Sequence, residues 1–219
     1  MPLTMGILTG NISMPCTVSL TDSKISGVNP AATISFGSRG IGPAAANRLV
    51  VVVLSHADAA NRYFTSMSID GAAATTDKYQ KTASGFYGVA VCSKLVPAGT
   101  SVSISASFTS GVNQAAISVY AVNQADLLPI VLKSSCSSLT PATPTTIDFS
   151  FLGSVLIGGI HQTNGSSPTY VGWTRDTYMT HTSNPDHFTA GSNGIATSAA
   201  HQISATDGQG PMAACVYGV

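Results

Sequence analysis

An alternating run of hydrophobic and small polar residues restricts the fold of this chain more than any other feature. In residues 101–108, SVSISASF, the side chains of Val102, Ile104, Ala106 and Phe108 share one side of an extended chain and four serines share the other. Successive side chains of a β-strand point to opposite faces, so this period of two predicts a strand with one buried face.

Further strands are predicted along the rest of the chain. The alternation recurs in residues 64–70, 86–94, 115–122 and 146–153. Two runs, residues 48–56 and 153–161, are hydrophobic on both faces and each ends in a histidine. Such runs predict central strands that are covered on both sides. Residues 212–219, MAACVYGV, predict a closing strand that returns to the core.

Turn residues separate these segments at short intervals, as at Asp70-Gly71, and no segment has a sustained helical stripe. We therefore expect an all-β fold, a jelly-roll-like antiparallel β-sandwich with little helix beyond one turn at residues 43–47. The predicted domains are an N-terminal arm or first strands over residues 1–30 and a single β-sandwich domain over residues 31–219. Residues 127–146, with three prolines, are predicted to form a crossing loop.

The charge composition limits the partners that this chain can attract. Only 8% of its residues are charged, and nine basic side chains balance nine acidic ones. A neutral surface has no field to draw in nucleic acid or an acidic membrane, and it gives little protection against self-association. The N-terminus does not read as a signal peptide, and the longest aliphatic run, residues 49–54, is far shorter than a membrane span. We expect a homo-oligomer, with a trimer as the specific guess, made in a cytoplasm.

Four cysteines, Cys16, Cys92, Cys136 and Cys215, are spread along the chain without a CxxC pair, so neither a zinc site nor a thioredoxin-type motif is indicated. Buried or free thiols are the main expectation. A disulfide formed late, for example between Cys92 and Cys215, is the alternative.

No residues assemble into a recognisable catalytic or cofactor motif, so neither an enzyme nor a cofactor or metal site is expected. The five histidines match no zinc spacing, and the one local cluster, His181, Asp186 and His187, is expected to be a solvated turn. Ser55, His56 and Asp58 have the letters of a hydrolase triad but lie too close in sequence for its geometry.

Gly158 and Gly159 lie inside a predicted strand and lack the lysine and helix of a phosphate-binding loop. They are expected to permit a bulge or a close backbone approach instead.

One aromatic segment is the candidate interaction surface. It contains Tyr170, Trp173, Arg175 and Tyr178, a composition typical of protein-interface hot spots and of platforms on which sugars stack. Ordinary core aromatics beneath a long loop are the competing interpretation.

A resemblance to known proteins is carried by residues 34–126. They contain an Asn-Arg pair before a valine-rich strand, the hairpin MSIDGAAAT, a Pro-Ala-Gly turn before the alternating strand, and the strand AAISVYAV. This pattern resembles a β-sandwich module of bacteriophage and prophage minor virion structural proteins. The later residues, with VLIGGIHQTNG and AACVYG, look like the rest of the same sandwich.

The resemblance implies a place on a virion assembled in the host bacterial cytoplasm and implies no chemistry. The first hypothesis is a capsid decoration or head-surface accessory protein that binds the major capsid or other virion proteins. The alternative is a tail- or fibre-associated module that binds a receptor or a carbohydrate, with Trp173 and the neighbouring tyrosines stacking on a glycan.

Overall fold

The structure, a computed structural model, describes residues 14–27, 30–58, 61–125, 128–163, 168–180, 187–194, 198–206 and 209–219. These residues form seventeen strands and no helix. The first nine strands are β1 (Thr17–Ile25), β2 (Ala31–Gly40), β3 (Leu49–Ala57), β4 (Phe64–Ile69), β5 (Ala72–Ala73), β6 (Thr75–Lys81), β7 (Tyr87–Leu95), β8 (Ser101–Val112) and β9 (Gln114–Asn123). The remaining eight are β10 (Val131–Ser138), β11 (Thr145–Phe149), β12 (Val155–Gln162), β13 (Thr169–Val171), β14 (Thr174–Thr180), β15 (His187–Asn193), β16 (Ser198–Thr206) and β17 (Met212–Gly218).

The strands form four antiparallel sheets. In order of neighbouring strands, sheet I is β2-β8-β4-β5, sheet II is β1-β9-β3-β7-β6, sheet III is β10-β17-β12-β15-β14 and sheet IV is β11-β16-β13. The predicted all-β antiparallel class is therefore confirmed. With no helix among the described residues, that part of the chain also holds none that could cross a membrane.

The four sheets stack as layers in the order I, II, III, IV, with a hydrophobic core between each neighbouring pair. The first core lies between sheets I and II, and it contains Ile104 and Val52. The middle core lies between sheets II and III, where Val53 meets Phe188. The third core lies between sheets III and IV and contains Trp173. Sheets II and III are each covered on both faces.

The covered sheets explain the uninterrupted hydrophobic runs in the sequence. Every residue of β3, β12 and β17 is buried, and each of these strands has a neighbour on both sides within its sheet. The central-strand and closing-strand predictions are therefore confirmed. The alternation predicted in β8 is also confirmed, because Val102, Ile104, Ala106 and Phe108 are at most 5% exposed.

The described strands form two stacked sandwiches, and β1 of the first one lies before residue 31. Sheets I and II pair in the first part of the chain, whereas sheets III and IV are built from residue 131 onward. The middle core joins the two sandwiches face to face. The later residues are therefore a second sandwich and not the remainder of the first, while the domain boundaries stay a prediction.

Residues 127–146 are not simply a crossing loop, because β10 lies within them and pairs with β17. The strand was missed because it is an edge strand rich in serine, with hydrophobic side chains that do not alternate. Only its Cys136 side chain is buried. The N-terminal prediction falls partly outside the described residues, which begin at Met14; residues 17–25 form β1 at the edge of sheet II.

The two sandwiches have the same strand order. When β1 to β4 are matched with β10 to β13, and β6 to β9 with β14 to β17, sheet II becomes sheet III and sheet I becomes sheet IV. Only the two-residue β5 has no counterpart among the described strands. At the junction β6 lies against β10 and β14 lies against β1, so the halves face each other with approximate twofold symmetry.

Corresponding strands also share residues at matching positions. β6 and β14 both carry the pattern T-x-D-x-Y, and in each the ladder has a bulge at the aspartate, Asp77 or Asp176. β9 and β17 both contain Val-Tyr, with the tyrosine, Tyr120 or Tyr217, buried in the middle core. Sequence, register and topology thus indicate an internal duplication.

The matched residues of the two halves contact each other across the junction. The Tyr217 hydroxyl donates a hydrogen bond of 2.6 Å to Oδ2 of Asp77 in the other half. Reciprocally, burial and then the carboxylate of Asp176 raise the pKa of Tyr120. The Ser192 hydroxyl donates to Asp176 at 2.6 Å, and the matching Ser93 hydrogen-bonds Asp77. Each half therefore places a tyrosine beside the bulge aspartate of the other.

Asp77 should make stability depend on pH. Burial raises its pKa, and hydrogen bonds from Ser93 and Tyr217 only partly oppose that effect. A raised pKa means that the folded chain keeps a proton that the unfolded chain has lost. The stabilising contribution is thus complete below the unfolded pKa of about 3.9 and is lost as the pH rises through the folded pKa.

The measurement is urea unfolding between acidic and neutral pH, for the wild type and for Asp77→Asn. We expect the stability of the variant relative to wild type to increase as the pH rises through this range, because asparagine does not titrate. Asp70→Asn, in the exposed β4–β5 turn, is the matched control and should follow the wild type. Parallel curves for wild type and Asp77→Asn would contradict the prediction.

Candidate functional site at the junction of the two sandwiches

A groove of about 650 Å³ lies at the junction of the two sandwiches and is the candidate functional site. One wall is the turn between β6 and β7, at residues 82–87, from the first half. The second half contributes the loop between β10 and β11, Thr163 just after β12, and Gln209 and Gly210 shortly before β17. We call this feature the junction groove.

Local hydrogen bonds fix the first wall. The Gly85 amide donates to the Thr82 carbonyl at 2.9 Å, which closes a turn in which Gly85 has a φ of 69°. The Thr82 hydroxyl lies 3.2 Å from the Ser84 hydroxyl and accepts a hydrogen bond of 3.3 Å from the Tyr87 amide. The turn therefore presents hydroxyl groups from a defined backbone.

The opposite wall is anchored in the second sandwich. The Ala205 amide of β16 donates to the Pro141 carbonyl at 2.8 Å, which holds the β10–β11 loop with its exposed Thr140 and Thr143. Gly210 has a φ of 114°, and a Cβ there would lie 2.3 Å from the His161 carbonyl oxygen. Only glycine allows this close approach of the chain before β17 to the end of β12.

A partly exposed tyrosine stacked on a buried histidine forms the back of the groove. The Tyr87 ring, which lines the groove, stacks on the His161 ring with centroids 4.6 Å apart and an angle of 23°. His161 Nδ1 and the Ser55 hydroxyl lie 2.7 Å apart, so β12 of one half is bonded to β3 of the other. The aromatic wall of the groove is thereby held by contacts that cross the junction.

The described residues that line the groove include polar side chains and none that is charged. Among the described residues that line it, the polar side chains are threonine and serine hydroxyls, the Tyr87 phenol and the Gln209 amide. These groups both donate and accept hydrogen bonds. The remaining lining residues are small or aliphatic, such as Ala83 and Leu139. This surface suits a neutral ligand rather than an ion.

The residues with the letters of a hydrolase triad have separate partners. Ser55 bonds His161, His56 Nε2 lies 3.1 Å from the Tyr79 hydroxyl, and Asp58 forms an ion pair of 3.0 Å with Arg62. Ser55 and His161 are both fully buried, so a substrate cannot reach their hydrogen bond. These contacts stabilise the fold and do not form a catalytic relay.

The predicted aromatic segment divides between core and surface. Trp173 is 6% exposed, belongs to the third core and donates from Nε1 to the Ser204 carbonyl at 3.2 Å. Tyr170 covers one face of its ring at a centroid distance of 4.5 Å and donates to the Thr189 hydroxyl at 2.6 Å. The tryptophan ring is thus used in packing and is not displayed as a stacking platform.

Arg175 and Tyr178 lie at the surface beside that packed pair. The Arg175 guanidinium donates to the Pro168 carbonyl at 3.0 Å and lies 5.5 Å from the centroid of the Tyr178 ring. Tyr178 is 42% exposed. A pocket of about 350 Å³ next to Trp173 and Arg175 is smaller than the junction groove.

The cysteines are four buried free thiols, as the main expectation predicted. Cys92 faces the first core and Cys215 the middle core, so these two do not form the alternative disulfide. Burial raises the pKa of all four thiols, that of Cys136 to about 11. They therefore remain protonated at neutral pH and are poor nucleophiles or metal ligands.

The remaining predictions can be placed only in part. His181 and Asp186 lie outside the described residues, as does the side chain of His187. Within the described ranges, no group of three or more histidine, cysteine and acidic side chains is placed to hold a metal ion. Gly158 and Gly159 serve close backbone approach and not a bulge, because the ladders of β12 run without a register shift.

Sequence reasoning missed the junction groove because its walls come from loops far apart in the chain. The pattern of residues 86–94 predicts only an alternating strand, and nothing local indicates that its tyrosine stacks on a histidine in the other half. The repeated T-x-D-x-Y pattern was the signal that could have revealed two halves, and with them a junction.

The chain has no significant match among protein-family profiles, curated proteins or solved structures.

Proposed function

We propose that this chain is a non-enzymatic virion structural protein, a capsid decoration or head-surface accessory protein that binds a particle lattice. The observation that carries the proposal is the strand order, which is repeated in both halves. In the first half the order β1-β9-β3-β7 faces the order β2-β8-β4-β5. When β5 and β6 are counted as one strand, this order supports the proposal of an eight-stranded jelly roll, a fold used by viral capsid proteins and lectins.

Fold type alone does not fix a function, so the surface provides the second argument. Leu128, Val131 and Leu132 are 47%, 45% and 40% exposed and lie at or just before the edge strand β10. Exposed hydrophobic side chains beside an unpaired strand edge favour contact with another protein chain. Since the whole chain carries few charges, this contact would depend on shape and apolar burial.

The experiment is to purify particles on a density gradient from a lysate of cells that carry the gene and to measure this chain in the particle band. We expect the chain at a fixed ratio to the major capsid protein, and a defined oligomer, a trimer, by light scattering of the purified chain. Leu132→Ser should reduce the amount on particles, whereas Leu95→Ser, a 53% exposed leucine at the end of β7, should not.

Two other outcomes would contradict the proposal or its docking surface. A wild-type chain that stays at the top of the gradient and behaves as a monomer would contradict the virion proposal. Equal losses for Leu132→Ser and Leu95→Ser would leave the chain on the virion but remove the edge of sheet III as its docking surface.

A further inference from the structure

We propose that the junction groove is a binding site for a neutral oligosaccharide. This goes beyond the virion role and stands without it, because it depends only on the groove. The predicted sugar platform at Trp173 is packed inside the third core, so a glycan site must use another aromatic surface.

The first step of the argument is size and access. The groove has a volume of about 650 Å³, within the range of roughly 300 to 1,000 Å³ that is usual for small-molecule sites. It lies between two sandwiches that are joined by a shared core, so its walls are held in place before a ligand arrives. A preformed site loses less conformational entropy on binding.

The second step is chemical selectivity. Thr82, Ser84, Thr140, Thr143 and Gln209 supply hydroxyl and amide groups around the groove. Sugars present hydroxyl groups that both donate and accept, which these side chains can match. A charged ligand would find no charged partner among the described lining residues, and the loss of its hydration would remain uncompensated.

The third step is the aromatic wall. A sugar ring has an apolar face of C–H groups that packs against an aromatic ring, while the tyrosine hydroxyl remains available for hydrogen bonding. Tyr87 has this character, and the stack on His161 fixes the ring plane.

The test begins with an array of neutral and charged glycans probed with the purified full-length chain, followed by calorimetric titration of a retained oligosaccharide. We expect retention of neutral glycans. Tyr87→Ala should weaken binding at least about tenfold, because the stacking surface is removed. Tyr178→Ala removes another partly exposed tyrosine, outside the groove, and should bind as the wild type does.

Because Tyr87 also packs on His161, Tyr87→Ala could affect folding as well as binding. A second variant separates the two effects. The double variant Thr140→Val and Thr143→Val removes two exposed hydroxyl groups at nearly constant shape, and it should lower affinity without lowering the unfolding midpoint. Retention of no neutral glycan would overturn the proposal, as would loss of binding in Tyr178→Ala but not in Tyr87→Ala. Co-purification of Tyr87→Ala with particles would separate this result from the virion proposal.

Discussion

Replacing Arg48 with methionine should destabilise the chain by about 3 kcal/mol or more, a large share of the roughly 5 to 15 kcal/mol that holds a typical domain folded. The Arg48 side chain is fully buried, and its guanidinium donates to five backbone carbonyls, those of Gly42, Pro43, Val96, Ala98 and Gly99. Methionine fills much of the same space but donates no hydrogen bond, so the buried contact to the Val96 carbonyl and the four partly buried contacts all lose their donor.

Arg48 matters because it ties two loops to the start of β3. One loop follows β2 and the other precedes β8, and carbonyl groups of both loops accept hydrogen bonds from the same guanidinium. The neighbouring Asn47 donates to the Gln124 carbonyl at 2.7 Å, where the chain leaves the first half. The Asn-Arg pair of the sequence thus organises loops around the first sandwich.

The measurement is the free energy of unfolding in urea. Arg39→Met is the matched control, because Arg39 is partly exposed and its contact with Asp22 is a loose 3.7 Å pair. Such a surface pair contributes about 1 kcal/mol at most. Equal midpoints for the two variants would show that the five carbonyls do not need the guanidinium.

Gly159→Ala should destabilise the chain by about 2 kcal/mol, although it adds a single methyl group. A Cβ at this position would lie 2.7 Å from Cγ1 of Val53 in the other half and 2.9 Å from the Thr189 carbonyl oxygen. The first contact can be relieved by moving the Val53 side chain or by moving sheet II away from sheet III. The substitution therefore tests the packing of the two sandwiches directly.

A double-mutant cycle identifies the contact. Val53→Ala creates a small cavity by itself, but it also removes the atom that opposes the new methyl group, so the double variant should be more stable than the sum of the single effects predicts. Gly40→Ala in β2 is the control, since its nearest atom would be 3.6 Å away and its stability should change little. Additive effects of Val53→Ala and Gly159→Ala would rule out direct coupling across the junction.

Alternation and hydrophobic runs predicted the strands best where packing is tightest. Ile104 and Phe108 are inward because their period of two matches the pleat, and β3 and β12 read as continuous runs because a sheet covers each face. The edge strand β10 carries a weaker signal, since it pairs on one side and is largely exposed.

The number of sandwiches could not be read from hydrophobicity, because both halves use the same kind of strand. The size of a side chain in the core also depends on its neighbours. Position 159 is a glycine because the large side chain of Phe188 fills the space beside it in the middle core. The role of the aromatic segment could not be predicted from composition either. Composition identifies Trp173 as noteworthy, but only the fold shows that Tyr170 covers its ring and that the stack closes the third core.

The face-to-face stacking of sheets II and III means that neither half is self-sufficient. A chain cut in the connection between β9 and β10 would give two fragments, each with an apolar sheet surface bearing Tyr120 or Tyr217 open to water. Such fragments should be insoluble alone and recover only when mixed. The two halves are arranged like the subunits of a symmetric dimer, but they belong to one polypeptide. They are therefore made in equal amounts, and the covalent link keeps them close together.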